Sequence, residues 1–181
     1  INPEYRPLDD DYDRYVTIKN HLRKNKYNPK NLYKKSMFNV VDVGFNSIFL
    51  KANKDLVELL KKFNLEHKKL QNFVLKSETQ IERLYNKKKG IFFNYDIKNN
   101  KKIIVPSITN YFILFADLKN QSINKKIIKN LKNHNQKEKY LFSSIKPNYE
   151  RFEEKRYWRG PVWINCNWII YQGLKNKDKK F

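Results

Sequence analysis

The sequence predicts a mainly α-helical chain built of helical hairpins, with one small β-hairpin. Three observations predict it. Apolar residues recur with helical spacing from Tyr12 to Tyr85 and again after Pro106. Between Ile91 and Val105 the period drops to two. No internal repeat or linker divides the 181 residues, a length that fits one domain and can bury a real core.

The first helix is expected in "DDDYDRYVTIKNHLRKNKY", with Asp9 to Asp11 as cap and first-turn acids and basic residues at the far end. Tyr12, Tyr15, Val16 and Leu22 form its stripe. The second is marked by Val41, Phe45, Ile48, Phe49, Ala52, Leu56, Leu59, Leu60 and Phe63. A third follows Asn64, with Leu70, Phe73, Val74, Ile81, Leu84 and Tyr85 on one face, and the short link makes the two an antiparallel pair. The hairpin runs over 91–105 and turns at Asn99 and Asn100. "SITNYFILFADL" reads as a buried helix. "INKKIIKNLKN" reads as an amphipathic one, with Ile123, Ile127, Ile128 and Leu131 inward. A loop is expected at 134–140 and irregular chain up to Gly160. Pro161 suits the first turn of a last helix, "VWINCNWIIYQGL", whose apolar residues on nearly every side predict full burial.

The formal net charge of +21 invites a nucleic-acid partner. Two features weigh against it. Alanine occurs only at Ala52 and Ala116 while Lys, Asn, Ile, Tyr and Phe abound, a pattern of AT-rich coding. The charge is also spread along the chain rather than focused into arginine forks. The lone Cys166 excludes an internal disulfide and sits in an apolar run, as an inert buried thiol does. His21, His67 and His134 are scattered and read as exposed or capping residues. Neither a metal nor a cofactor is expected. No apolar run reaches membrane-spanning length and no signal peptide opens the chain, so a cytoplasmic protein is expected. An Ile at position 1 suggests an internal piece of a longer protein.

"RYWRGPVWINCNWIIYQGL", from Arg156 to Leu174, gathers all three tryptophans. A core role would account for the indoles. It does not account for Arg159, Asn165, Asn167 and Gln172, polar groups that are costly to bury unpaired. Aromatic faces beside planar hydrogen-bonding groups at a Gly-Pro corner suit a sugar, whose rings stack and whose hydroxyls need amide or guanidinium partners. This segment resembles the signature of the mannosylglycerate hydrolase-like and glycoside hydrolase family 63 enzymes. "VVDVGFNSIFLKANKDLVELLKKF" resembles a second block of that family, and "RPLDDDYDRYVTIKNHLRKNKYNP" the segment before it. Tyr95-Asp96 and Phe142-Ser143-Ser144 are weaker echoes.

The resemblance implies an (α/α)6 barrel. About twelve helices of roughly 15–20 residues need on the order of 300 residues, so residues 1–181 are expected to be part of one such catalytic domain, truncated at both ends. It implies inverting hydrolysis of an α-glycosidic bond, with a carboxylic acid and a carboxylate about 6.5–9.5 Å apart. The small glycoside or oligosaccharide substrate would be of the mannosylglycerate, glucosylglycerate or α-glucoside type. The family's acid and base motifs lie upstream of Arg6-Pro7 and downstream of the Trp-rich helix, so the chain alone is expected to be inactive. Tyr157, Trp158, Arg159, Trp163 and Asn167 are the implied substrate-binding residues, with Asp42 and Asn46 lining from the second block. Asp42 is the sole catalytic candidate, and a helix N-cap explains it equally well. The alternative function is a basic helical module whose Trp and Tyr side chains stack on nucleic-acid bases.

Overall fold

Asp42 starts the longest helix. Its carboxylate accepts from Phe45 N at 2.7 Å, capping α3 (Val43–Lys62). In the computed structural model, which describes residues 5–134, 141–175 and 177, this helix and α4 (Lys68–Ile81) form the expected antiparallel pair. Before them come α1 (Asp9–Lys24) and α2 (Pro29–Lys35). The periodicity alone does not show α2, although Asn28 caps it and Pro29 sits at its first position.

The predicted hairpin is present as β4 (Asn94–Asp96) against β5 (Lys101–Ile103), with Asp96 opposite Lys101. Hydrogen bonds from the Asn99 side chain and backbone fix the turn and hold the Asp96 carboxyl below its ordinary pKa. Two features depart from the expected hairpin. β1 (Val40–Val41) adds to the free side of β4. Ile91 and Phe92, expected within the hairpin, form β3 and pair with β2 (Tyr85–Asn86) in a second ribbon.

The centre of the core is the segment predicted as a buried helix. It folds as a 3₁₀ turn, Ile108–Tyr111, followed by α5 (Ile113–Ala116), and Ile108, Ile113, Leu114, Ala116 and Leu118 are all fully buried. α3 and α7 (Ile164–Leu174) pack on α5, and α6 (Gln121–His134) brings Ile127 and Leu131 to the same core. Lys54 crosses from α3 to donate to the carbonyls of Ala116 and Asp117 at 3.0 and 2.7 Å, where a helix end favours a cation. It also pairs with the buried Glu78 of α4 at 3.2 Å, and Glu78 accepts from Lys119 N at 2.6 Å. One ion pair thereby ties α3, α4 and the end of α5.

Several expectations are corrected. The face of α3 that enters the core is Val43, Gly44, Ser47, Leu50 and Val57. Much of the more apolar stripe lies outward, with Phe45 71% and Phe63 63% exposed. α1 buries none of its residues. Its cap is Leu8, whose N–H donates to Asp11 in the first turn. α7 begins three residues after Pro161 and is buried on one side only, Ile164, Trp168 and Tyr171 being exposed. His134 is buried at the end of α6, edge-on to Tyr111 and Phe142. The loop expected at 134–140 falls, from 135 on, outside the described residues. Among the described residues no helix is long and apolar enough to cross a membrane.

At Gly173 an added Cβ would stand 2.6 Å from the Leu114 carbonyl carbon. Gly173→Ala should therefore destabilise the chain by about 1–3 kcal/mol in chemical denaturation. Burial, and secondarily the charge of Lys146, push the His134 imidazole down to about pKa 4 from an ordinary 6.5. The unfolded chain takes up this proton near pH 6.5 and the folded chain refuses it until about pH 4. Stability should thus fall as pH drops through that window, and His134→Phe should flatten the melting-temperature profile between pH 6.5 and 5.

Candidate functional site

The Trp-rich segment forms a corner ahead of α7. Gly160 is required by close approach, since any Cβ there would overlap the Glu153 carbonyl oxygen. The loop from Glu153 to Gly160 closes on itself. Glu153 N donates to Arg159 O at 2.7 Å, and the Arg159 guanidinium meets the Glu153 carboxylate at 2.8 Å. Between them Tyr157 has a φ of 26°, a left-handed conformation that a tyrosine holds only under constraint. The constraint turns its ring onto two indoles. Trp158 and Trp163 stack with centroids 4.7 Å apart and planes 14° from parallel, and Tyr157 meets Trp163 edge-on at 5.3 Å. Such contacts contribute about 0.5–1.5 kcal/mol each beyond area burial. Trp163 Nε1 donates to Tyr157 O at 3.2 Å, which ties the corner across the Gly-Pro step.

This stack forms one wall of a cavity of about 760 Å³. The other wall is the start of the chain, with Tyr5, Arg6, Pro7, Tyr12 and Tyr15. A smaller cavity of about 380 Å³ shares Pro7, Tyr15, Tyr157 and Trp158 and adds Asp10, Asp11, Arg14, Arg156 and Arg159. Asp11 joins the two walls. Its carboxylate receives Leu8 N at 3.1 Å and lies 3.5 Å from Arg156 and 3.7 Å from Arg14.

Of the expected site residues, Tyr157, Trp158 and Trp163 come together in the larger cavity. The others take different places. Arg159 lines the smaller cavity while bracing Glu153. Asn167 is buried, and both ends of its carboxamide are bonded to backbone, to Phe142 N and O and to Trp163 O. Asn46 lines a separate cavity with Phe49, Phe73 and Tyr95, and its side chain donates to Asp42 O. Asp42 lines none of the described cavities. One carboxylate oxygen caps α3, and the other accepts from Asn94 Nδ2 at 2.9 Å. Asn94 in turn accepts from Val43 N at 2.8 Å, so Asp42 joins the helix start to the sheet.

Sequence reasoning missed Arg6, Tyr12 and Tyr15 as cavity wall. Two tyrosines three residues apart, and so on one face of the first helix, were the available signal. Among the described residues no group of three metal-binding side chains gathers. Burial raises the Cys166 thiol pKa, which keeps it protonated and inert.

Comparison with known proteins adds the family. The sequence profile of the mannosylglycerate hydrolase MGH1-like glycoside hydrolase domain matches residues 2–179. The mannosylglycerate hydrolase of Thermus thermophilus is 35% identical over 176 residues, covering 97% of this chain and 42% of that protein. Two crystal structures of the family 63 mannosylglycerate hydrolase from a second strain of Thermus thermophilus superpose closely at 35% identity. The complex with glucose has a TM-score of 0.91 and covers 97% of this chain and 42% of that one. The complex with Tris and D-glycerate has a TM-score of 0.92 and covers 97% and 43%. The chain thus spans less than half the length of these relatives.

Because Asp42 acts as a cap and a sheet tie, Asp42→Ala should lower stability by about 1–2 kcal/mol. Asp42→Asn, which caps equally well, should retain most of it. Urea denaturation of the two variants measures the difference.

Proposed function

The chain belongs to the mannosylglycerate hydrolase MGH1-like glycoside hydrolase family, and from that premise we propose that it forms substrate-binding walls for inverting hydrolysis of an α-glycosidic bond. The substrate class is a small glycoside of glycerate, mannosylglycerate or glucosylglycerate. The sugar ring stacks in the cavity made by Tyr157, Trp158 and Trp163 with Tyr12 and Tyr15. The single observation that carries this reading is Arg6, a guanidinium in a cavity otherwise walled by aromatic and apolar side chains. A planar fork of donors suits a carboxylate, and glycerate carries one. The relative's crystal structure in complex with Tris and D-glycerate supports glycerate as part of the ligand. Arg159, the other guanidinium of the Trp-rich segment, is bound to Glu153 and serves as a brace.

Water attack needs an acid and a base on opposite sides of the sugar. Asp42 is committed to α3 and Asn94, and Asp11 to Leu8 and Arg156. Neither carboxylate lines the aromatic cavity. We therefore assign the acid and the base to portions of the (α/α)6 catalytic domain beyond these residues. Residues 1–181 are then one part of that domain, and the outward apolar faces of α1, α3 and α7 are where its other helices pack. The family match favours the glycoside reading over the nucleic-acid alternative.

The test is calorimetric titration of the chain with mannosylglycerate, run beside an assay for released mannose. Binding without turnover is expected. Arg6→Gln should weaken binding by about 10- to 100-fold, the loss of one charge-assisted contact of about 1.5–3 kcal/mol. Robust turnover that disappears in Asp42→Asn would overturn the assignment.

A further inference from the structure

We propose that Asn167 positions the aromatic corner, its carboxamide clamping α7 to the irregular segment that carries the corner from behind. Asn167 is 7% exposed and three of its contacts are hydrogen bonds to main chain. Its Oδ1 accepts from Phe142 N at 2.9 Å, and its Nδ2 donates to Phe142 O at 3.0 Å and to Trp163 O at 2.9 Å. Gripping both polar groups of one residue fixes the orientation of the Phe142 peptide planes, as a paired strand would. The effect passes on through backbone. Ser143 bridges Val162, and Ser144 N donates to Pro161 O at 3.1 Å. Ser144 Oγ accepts from Gly160 N at 3.0 Å. The corner from Gly160 to Trp163 is thereby tied back to Asn167 through this short run of bonds. The fixed corner holds Tyr157 in its left-handed conformation and Trp158 on Trp163. Only a carboxamide offers the acceptor and the two donors in this geometry. An aspartate keeps the acceptor and turns two attractive contacts into repulsions between oxygens.

The link from corner to ligand rests on the reading of the cavity as the glycoside site, and the experiment separates the two. Asn167→Asp and Ser144→Ala are made in the whole chain, with Leu131→Ala as a destabilised control in the core. Amide hydrogen exchange and the near-ultraviolet circular dichroism of the stacked indoles are read without ligand. Mannosylglycerate affinity is read by titration. In both clamp variants the backbone amides at positions 144 and 160 should lose at least tenfold protection and the indole band should collapse. In Leu131→Ala both should persist despite a lower melting temperature. Mannosylglycerate affinity should fall at least tenfold in the clamp variants and hold in the control. Unchanged exchange and an unchanged indole band in Asn167→Asp would overturn the clamp. A wild-type chain that binds no mannosylglycerate, with the clamp readouts as expected, would uphold the clamp and overturn the substrate reading alone.

Discussion

Backbone that is buried without being helix or strand must find a partner for each N–H and C=O. The stretch from Phe142 to Pro161 is where this chain meets that demand. Phe142, Ser143, Ser144, Ile145 and Gly160 are all buried, yet none belongs to a regular element. Their polar groups are met by Asn167, by Ile108 N and by one another across the Ser144–Pro161 contact. These bonds hold the Gly-Pro corner against the Phe142–Ile145 run. Beside that corner sit the strained Tyr157 and the indole stack that walls the cavity. At the other end of α7, Gly173 lets the helix approach the Leu114 backbone more closely than any side chain would allow.

The helices around this core share a second trait. α1, α3 and α7 each present apolar side chains outward. On α3 the exposed stripe is the more apolar of its two sides; Phe45 stacks on Phe49 there, and Phe73 of α4 meets Phe49 edge-on, all three remaining exposed. Under the barrel reading, such a helix has one face toward the sheet-and-α5 core and one toward a neighbouring helix. A lone amphipathic helix has no reason to carry both.

That trait marks the limit of what the sequence could reveal. Period and caps locate α3, α4, α6 and the β4–β5 turn, because local preferences decide those. They cannot say which apolar face meets which partner, so the Phe45 stripe reads as core when Ser47 and Leu50 are. Nor can they separate Ile91 and Phe92 from the hairpin, since pairing with Tyr85 and Asn86 is a matter of distant register. At the site, the aromatic corner is legible as a motif with Tyr157, Trp158 and Trp163. The opposite wall is not, because Arg6 and Tyr12 meet Trp158 only in three dimensions. For Arg159 and Asn167 a sequence shows that a polar group needs a partner and not which one; here Glu153 pairs with Arg159, and Phe142 and Trp163 main chain with Asn167.

The most direct measurement is a nitrogen-15 spectrum of the three indole N–H groups during titration with mannosylglycerate. Trp158 and Trp163 line the cavity, while Trp168 faces outward on α7. The account predicts that the Trp158 and Trp163 signals shift in a saturable way and that Trp168 stays in place. A saturable shift at Trp168 with Trp158 and Trp163 unmoved would contradict it.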